Sequence, residues 1–181
     1  MCRYSMTIYK PHYACFHCCK TFKRRLMTDI SRGKMDETEA KCPQCGTLMA
    51  NMGLDFAAPK KDNLKEWKHI KDLYSVGIAF YSCGCYGPGY IPRDKEQLIA
   101  YFEEILIGYK EQLTFWRNRI EPTNNKEVQR EQNKYWSNIG KIPSDYRPKK
   151  GAITNDDAKK YWFERIKMIE QKLKILNTST N

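Results

Sequence analysis

Long apolar runs are missing from this chain: nowhere in its 181 residues do about 18 apolar positions follow one another, the length needed to span a bilayer. Met1-Cys2-Arg3-Tyr4-Ser5 leads into no apolar segment of the secretory kind, so a cytoplasmic protein is the expectation, and Asn177-Thr178-Ser179, although a glycosylation sequon, is silent without export. Histidine is scarce. His12, His17 and His69 stand in unrelated contexts among scattered carboxylates, and no acid, base or nucleophile set can be recognised. No glycine loop of the P-loop or dinucleotide type is present, which removes the familiar phosphate-cradling enzymes. The expectation is therefore a non-enzymatic protein. Acidic charge is also in short supply, with 21 Asp and Glu against 32 Lys and Arg, a formal net charge of +11. Such a balance is compatible with a polyanionic partner, RNA or DNA, whose counterions are released on binding. The excess is spread along the chain, with no basic tail.

What the chain does have is cysteine in pairs. Cys15-Phe16-His17-Cys18 and Cys42-Pro43-Gln44-Cys45-Gly46 are two CxxC knuckles separated by 23 residues, enough chain to travel out and return. Each knuckle aims two sulfurs at one point, and four thiolates are what a tetrahedral Zn2+ ion requires, so Cys15, Cys18, Cys42 and Cys45 are the expected ligands of one structural zinc. Cys19 is an alternative to Cys18, but the ordinary two-residue spacing selects Cys18. Four bound thiolates and one Zn2+ would leave a net charge of about +9, still basic. Eight cysteines can also make a disulfide set, yet pairing as CxxC without an export signal favours metal in a reducing compartment.

Periodicity divides the rest, giving an α+β organisation of zinc ribbon over 1–58, helix-strand-loop connector over 59–93 and helical region over 94–181. Lys20 to Leu26 leaves the first knuckle as a strand, Thr47 to Met52 is the outgoing arm of the second, and 31–37 is a charged loop. A helix opens at Asp62 or Asn63, carries Leu64, Trp67, Ile70 or Lys71, and Leu73-Tyr74 on one side, and stops at Gly77; Ile78 to Cys83 follows as a short strand. Asp94 with Gln97 resembles a capping box for a long helix over about 94–120, whose stripe Leu98, Phe102, Ile105, Tyr109, Leu113, Trp116, Ile120 repeats near 3.6 residues. A more polar helix is expected over about 125–139. Thr154 with Asp157 opens a final one over about 155–176, striped by Trp162, Ile166, Ile169 and Leu173.

The Cys42-Pro43-Gln44-Cys45-Gly46 knuckle resembles the rubredoxin-like CPxCG pattern of the zinc-ribbon superfamily, over roughly the first 55 residues. The resemblance implies a small antiparallel sheet around one zinc and a recognition or scaffold role, of the kind zinc ribbons take in ribosomal proteins, transcription factors and RNA polymerase subunits, and as accessory modules of enzymes. The first knuckle departs from it by carrying Cys19 where glycine is common. The segment from Cys42 to Trp67 is also similar to that of uncharacterised small bacterial zinc-ribbon proteins, which brings no function with it.

Three surfaces compete for the function. Lys20, Lys23, Arg24 and Arg25 around Phe22, seconded by Lys60 and Lys61 with Lys65 and Lys68, are the candidates for phosphate contact, in a ribosomal or transcriptional assembly; the plain alternative is a solvated strand face. The apolar stripes of the long and final helices could instead seat a protein partner or a second copy of the chain, and the oligomeric state is open. Cys83-Gly84-Cys85 could be a thiol-redox pair or a second metal site, although a redox dithiol ordinarily has two residues between its cysteines and a helix start beside it.

Overall fold

The computed structural model describes residues 10–24, 39–81, 87–148 and 152–178, and its α+β chain divides into two compact units at the junction of Leu98 and Ile99. The amino-terminal unit is built on a three-stranded antiparallel sheet of order β2-β1-β3, with β1 His12–Cys15, β2 Lys20–Lys23 and β3 Ala50–Gly53. Tyr13 lies opposite Phe22, Cys15 opposite Lys20 and Ala14 opposite Ala50. Because side chains alternate along a strand, the sheet separates two packing layers. Tyr13, Cys15 and Phe22 share one face with Cys42 and Met49, while Ala14, Ala50 and Met52 share the other with Phe56, Trp67 and Ile70.

Trp67 and Ile70 come from helix α1, Leu64–Ser75. Asn63 starts it by accepting from the Glu66 amide at 3.3 Å, and the indole nitrogen of Trp67 donates to the Lys60 carbonyl at 3.1 Å, tying the helix to the turn before it. Trp67, Ile70 and Leu73 are buried at helical spacing, whereas Leu64, expected on that stripe, is exposed. Gly77, at φ +81°, ends the element.

The sequence predicts a strand from Ile78 to Cys83; residues 78–81 form none, and the remainder lies outside the described residues. Phe80 does run beside β3, donating to the Met52 carbonyl at 2.8 Å and accepting from the Asp55 amide at 3.1 Å. Those two bonds straddle Gly53, whose φ of +89° bends the chain out of register, so no ladder can propagate.

The carboxy-terminal unit is helical. Helix α2, Lys95–Asn118, passes through the division between the units. Asp94 accepts from the Gln97 amide at 2.8 Å, and Gln97 returns the bond to the Arg93 amide at 3.1 Å, one residue earlier than a strict capping box. Leu98, Phe102, Leu113 and Trp116 are buried as the stripe requires; Ile120 is 88% exposed, because the helix has ended two residues before it.

One helix is expected over about 125–139, and there are two, α3 Asn125–Lys134 and α4 Trp136–Gly140. The break is at Tyr135, whose φ of −115° and ψ of 27° leave the helical region while its ring packs edge-on against Phe115 at 5.1 Å. Packing here overrides propensity. The last helix, α5 Asn155–Thr178, opens as expected with the Thr154 hydroxyl accepting from the Asp157 amide at 3.1 Å.

Leu113 and Trp116 of α2 meet Ala158, Tyr161, Trp162 and Ile166 of α5, with Ile142 and Ile153 between. Each fully buried aliphatic side chain there contributes roughly 1.5–3 kcal/mol. The two apolar stripes thus cover each other. Among the described residues no helix is long and apolar enough to cross a membrane.

Candidate metal centre

The Sγ atoms of Cys15, Cys18, Cys42 and Cys45 all lie within 4.8 Å of one another, on the sheet face opposite α1. Cys15 ends β1 and Cys18 lies in the turn to β2, while Cys42 and Cys45 flank the turn that follows Lys41, which bridges to Leu48. Each turn is closed by its own backbone. The Cys18 amide donates to the Cys15 sulfur at 3.4 Å; in the second turn the Gly46 amide donates to the Cys42 carbonyl at 2.9 Å and the Cys42 amide to the Thr47 carbonyl at 2.8 Å.

The Cys15 and Cys45 sulfurs approach to 3.5 Å, far beyond a disulfide bond. A tetrahedral ion with Zn–S bonds of about 2.3 Å sets its sulfurs about 3.8 Å apart. The observed cluster brackets that spacing, so four close cysteines can hold a metal ion with little rearrangement.

Protons are unevenly held in this cluster. The Cys18 thiol, hydrogen-bonded to the Cys45 sulfur and partly desolvated, is pushed up to about 12. Cys45 is drawn down to about 5, chiefly by the Thr47 hydroxyl at 3.0 Å and then by the Thr47 amide. At Cys15 burial pushes the thiol up, but the Thr47 hydroxyl at 3.4 Å and the Cys18 amide outweigh it, and the net shift is downward. Crowded sulfurs cannot all be thiolates unless a cation sits among them, and an arriving metal must displace the protons that remain.

Sequence reasoning did not single out Thr47. Its signal was present, a hydroxyl residue directly after the CPxCG knuckle, but only the fold shows its oxygen within reach of two sulfurs.

Cys19 is not among the clustered sulfurs. Its side chain packs with the layer between sheet and α1, donating weakly to the Phe16 carbonyl at 3.8 Å. His17 is exposed, its Nδ1 3.8 Å from the Cys18 sulfur; His12 meets Phe56 edge to face, and the Nε2 of His69 is 2.9 Å from the Pro92 carbonyl.

The cationic candidates do not all fall on one surface. Lys20 and Lys23 have opposite parity on β2, so Lys20 joins the metal face, where its Nζ donates to Gln44 at 2.6 Å, and Lys23 joins the other. Arg24 is exposed just past the strand, and Arg25 lies outside the described residues, as do Cys83 and Cys85. Lys60 and Lys61 are exposed in the turn before α1, followed by Asp62; Lys65 and Lys68 line a groove shared with Glu66, Asp72, Asp94 and Glu96. That region is mixed in sign.

Compared with models of protein families, with curated proteins and with solved structures, the chain finds no match. Four clustered cysteines on a small antiparallel sheet are compatible with a zinc ribbon, and the likeness rests on that geometry alone.

Proposed function

We propose that the protein is a non-enzymatic zinc-ribbon module, with one Zn2+ held by Cys15, Cys18, Cys42 and Cys45, that recognises nucleic acid. The observation that carries the reading is the convergence of four sulfurs within 4.8 Å from two knuckles on one sheet. A site of four thiolates has no open position for substrate or water, so the ion serves structure. The layer holding it contains few side chains besides the ligands themselves, and the metal supplies the cohesion that so small an interior lacks.

The partner reading is supported by charge. Lys20 on the metal face, with Arg24 and Arg25 after it and Lys60 and Lys61 in the α1 turn, would be the phosphate contacts, while the zinc would hold the strand that carries the first of them. An adaptor reading through the helical stripes loses support, because Leu113 and Trp116 already pack on Trp162 and Ile166.

Two measurements test the proposal. Elemental analysis of purified protein should return one zinc per chain, and none after Cys15→Ser with Cys42→Ser. A mobility-shift assay at low salt should show binding that is weakened by reversing Lys20, Lys23, Arg24 and Arg25 together; no shift, or one indifferent to those changes, refutes the nucleic-acid part.

A further inference from the structure

Helix α3 carries a second row of basic residues that the ribbon reading does not use. Lys126, Arg130 and Lys134 recur at every fourth residue, so they lie along one side of the helix, and all three are exposed. Four residues of helix advance about 6 Å, which spaces the three cations over about 12 Å. That matches successive phosphates on an extended strand better than a single anion.

The acids of the same helix are occupied elsewhere. Glu127 is turned to the helix start, where it accepts from the Thr123 amide at 2.8 Å and hydroxyl at 3.0 Å. Glu131 is turned inward to Arg119, at 2.6 Å. No ion pair is formed by Lys126, Arg130 or Lys134 among the described residues: Glu131 is spent on Arg119, Glu127 keeps its charge but bonds to Thr123, and Lys134 Nζ lies over the Tyr135 ring at 5.0 Å.

An exposed aromatic ring follows this stripe in the chain. Trp136, two residues beyond Lys134, is 72% exposed, while Trp67, Trp116 and Trp162 are at most 3% exposed. Large aromatic rings are ordinarily sequestered, and a ring left in water two residues past a row of cations supplies the two elements that single-stranded nucleic acid binds, phosphates on the cations and a base on the ring. Lys141, exposed just past α4, extends the positive charge beyond the ring.

We infer that α3 and Trp136 form a binding surface for single-stranded nucleic acid, with Lys126, Arg130 and Lys134 as backbone contacts and Trp136 as the stacking platform. This surface goes beyond the ribbon proposal and does not depend on it. Recognition is independent of base sequence, because no buried polar group is offered to base edges and every base has a stacking face. A duplex hides its bases from the ring and is bound less tightly.

The test uses the full chain and a labelled 15-nucleotide oligothymidylate, with its duplex and phosphatidylserine vesicles as comparisons. Since Trp136 is the one exposed tryptophan of the four, stacking shows as a fall in intrinsic fluorescence. Lys126→Gln with Arg130→Gln and Lys134→Gln should weaken binding at least about tenfold at low salt, and lower the slope of log affinity against log salt by about 2, as three lost contacts require. Trp136→Ala should weaken it roughly tenfold with the slope unchanged. Both variants alter only exposed side chains, and unchanged thermal unfolding confirms that they fold.

The inference is overturned if both variants bind the oligonucleotide as the parent does, if the duplex is bound equally tightly and Trp136 emission does not change, or if the vesicles are bound and the oligonucleotide is not. A parallel variant with Lys20, Lys23 and Arg24 neutralised reports on the ribbon alone, so the failure of one surface is separable from the failure of the other.

Discussion

Cys19 holds in the first knuckle the left-handed backbone that Gly46 holds in the second, φ +50° against +73°. Both follow the second ligand of their pair, where the chain must reverse. At Gly46 nothing lies within 4 Å of where a Cβ would stand, so a substitution there is opposed by the backbone alone. Gly46→Ala should cost about 1 kcal/mol, the ordinary penalty of an L residue in that region. Cys19→Gly should come out near zero, since relief of the same strain is offset by a looser unfolded chain and by the loss of the thiol from the layer under α1. Urea unfolding of the two variants checks the pair, and Cys19→Ser should keep the full metal stoichiometry while Cys18→Ser loses it.

Gly53 is under a different constraint. A Cβ there would stand 2.5 Å from the Phe80 carbonyl oxygen, which is backbone and has no side-chain freedom with which to retreat. With φ at +89° as well, Gly53→Ala combines conformational strain with a collision at the two bonds that hold Phe80 to β3. Destabilisation of about 3 kcal/mol is expected, well above that at Gly46, and an equal loss at the two glycines would show that the Phe80 contact is not as tight as described.

Such contrasts mark what the sequence could and could not disclose. The four-cysteine cluster was legible because a site able to hold a metal writes its geometry into spacing: CxxC and a return of 23 residues leave little freedom. Helix starts were legible for a similar reason, since Asn63, Asp94 and Thr154 act within three residues of themselves. What failed depended on distant partners. The break at Tyr135 is set by Phe115, twenty positions earlier, and the absent strand at 78–81 by the bend at Gly53. The four cations after the first knuckle looked like one patch in the sequence, and strand parity puts Lys20 and Lys23 on opposite faces. Conversely, the stripe on α3 was readable at i, i+4, i+8, but its freedom from the neighbouring acids depends on Thr123 and Arg119.

Removing the metal should act on one unit and spare the other. The ligands lie within the unit that ends at Leu98, whereas the aromatic cluster around Trp116 and Trp162 lies beyond it. Chelation should therefore abolish the protection of sheet amides while most helical circular dichroism persists. Because Cys18 must give up a proton held to about 12, metal affinity should rise with pH and fall on acidification, and release should be detectable with a chromogenic chelator as the pH is lowered. Helical signal lost in step with the metal would contradict the separation.

Arg119 is the polar centre of the helical unit. Only 4% of its side chain is exposed, and it meets Glu131 through two nitrogens, the Ile153 carbonyl at 3.2 Å and Asn155 at 2.9 Å, while lying over the ring of Trp116 at 5.0 Å. Glu131→Ala leaves this guanidinium without its counter-charge, and a loss of about 3 kcal/mol is expected. Replacing both partners by apolar residues, Arg119→Met with Glu131→Leu, should recover more than half of that, since no unpaired charge is then left inside. Denaturant unfolding of the single and double variants decides between a stabilising pair and one retained for register.

Acid should act first on the start of α3. The Glu127 carboxyl is held below its ordinary range, first by the Thr123 amide and then by the Thr123 hydroxyl. A carboxyl whose folded value is depressed contributes stability that is fully present above its unfolded value, here the ordinary 4.5, and is lost as pH falls through the folded value. The unfolded chain binds the proton first, so between those two values acidification favours opening of the cap. Protection of the amides over 123–128, relative to the unstructured chain at the same pH, should therefore fall as pH drops below 4.5, ahead of that in α5, and Thr123→Val should raise the Glu127 titration midpoint toward the ordinary value. A midpoint unmoved by Thr123→Val would mean that the Thr123 amide, which the substitution keeps, and not the hydroxyl, holds the carboxylate ionised.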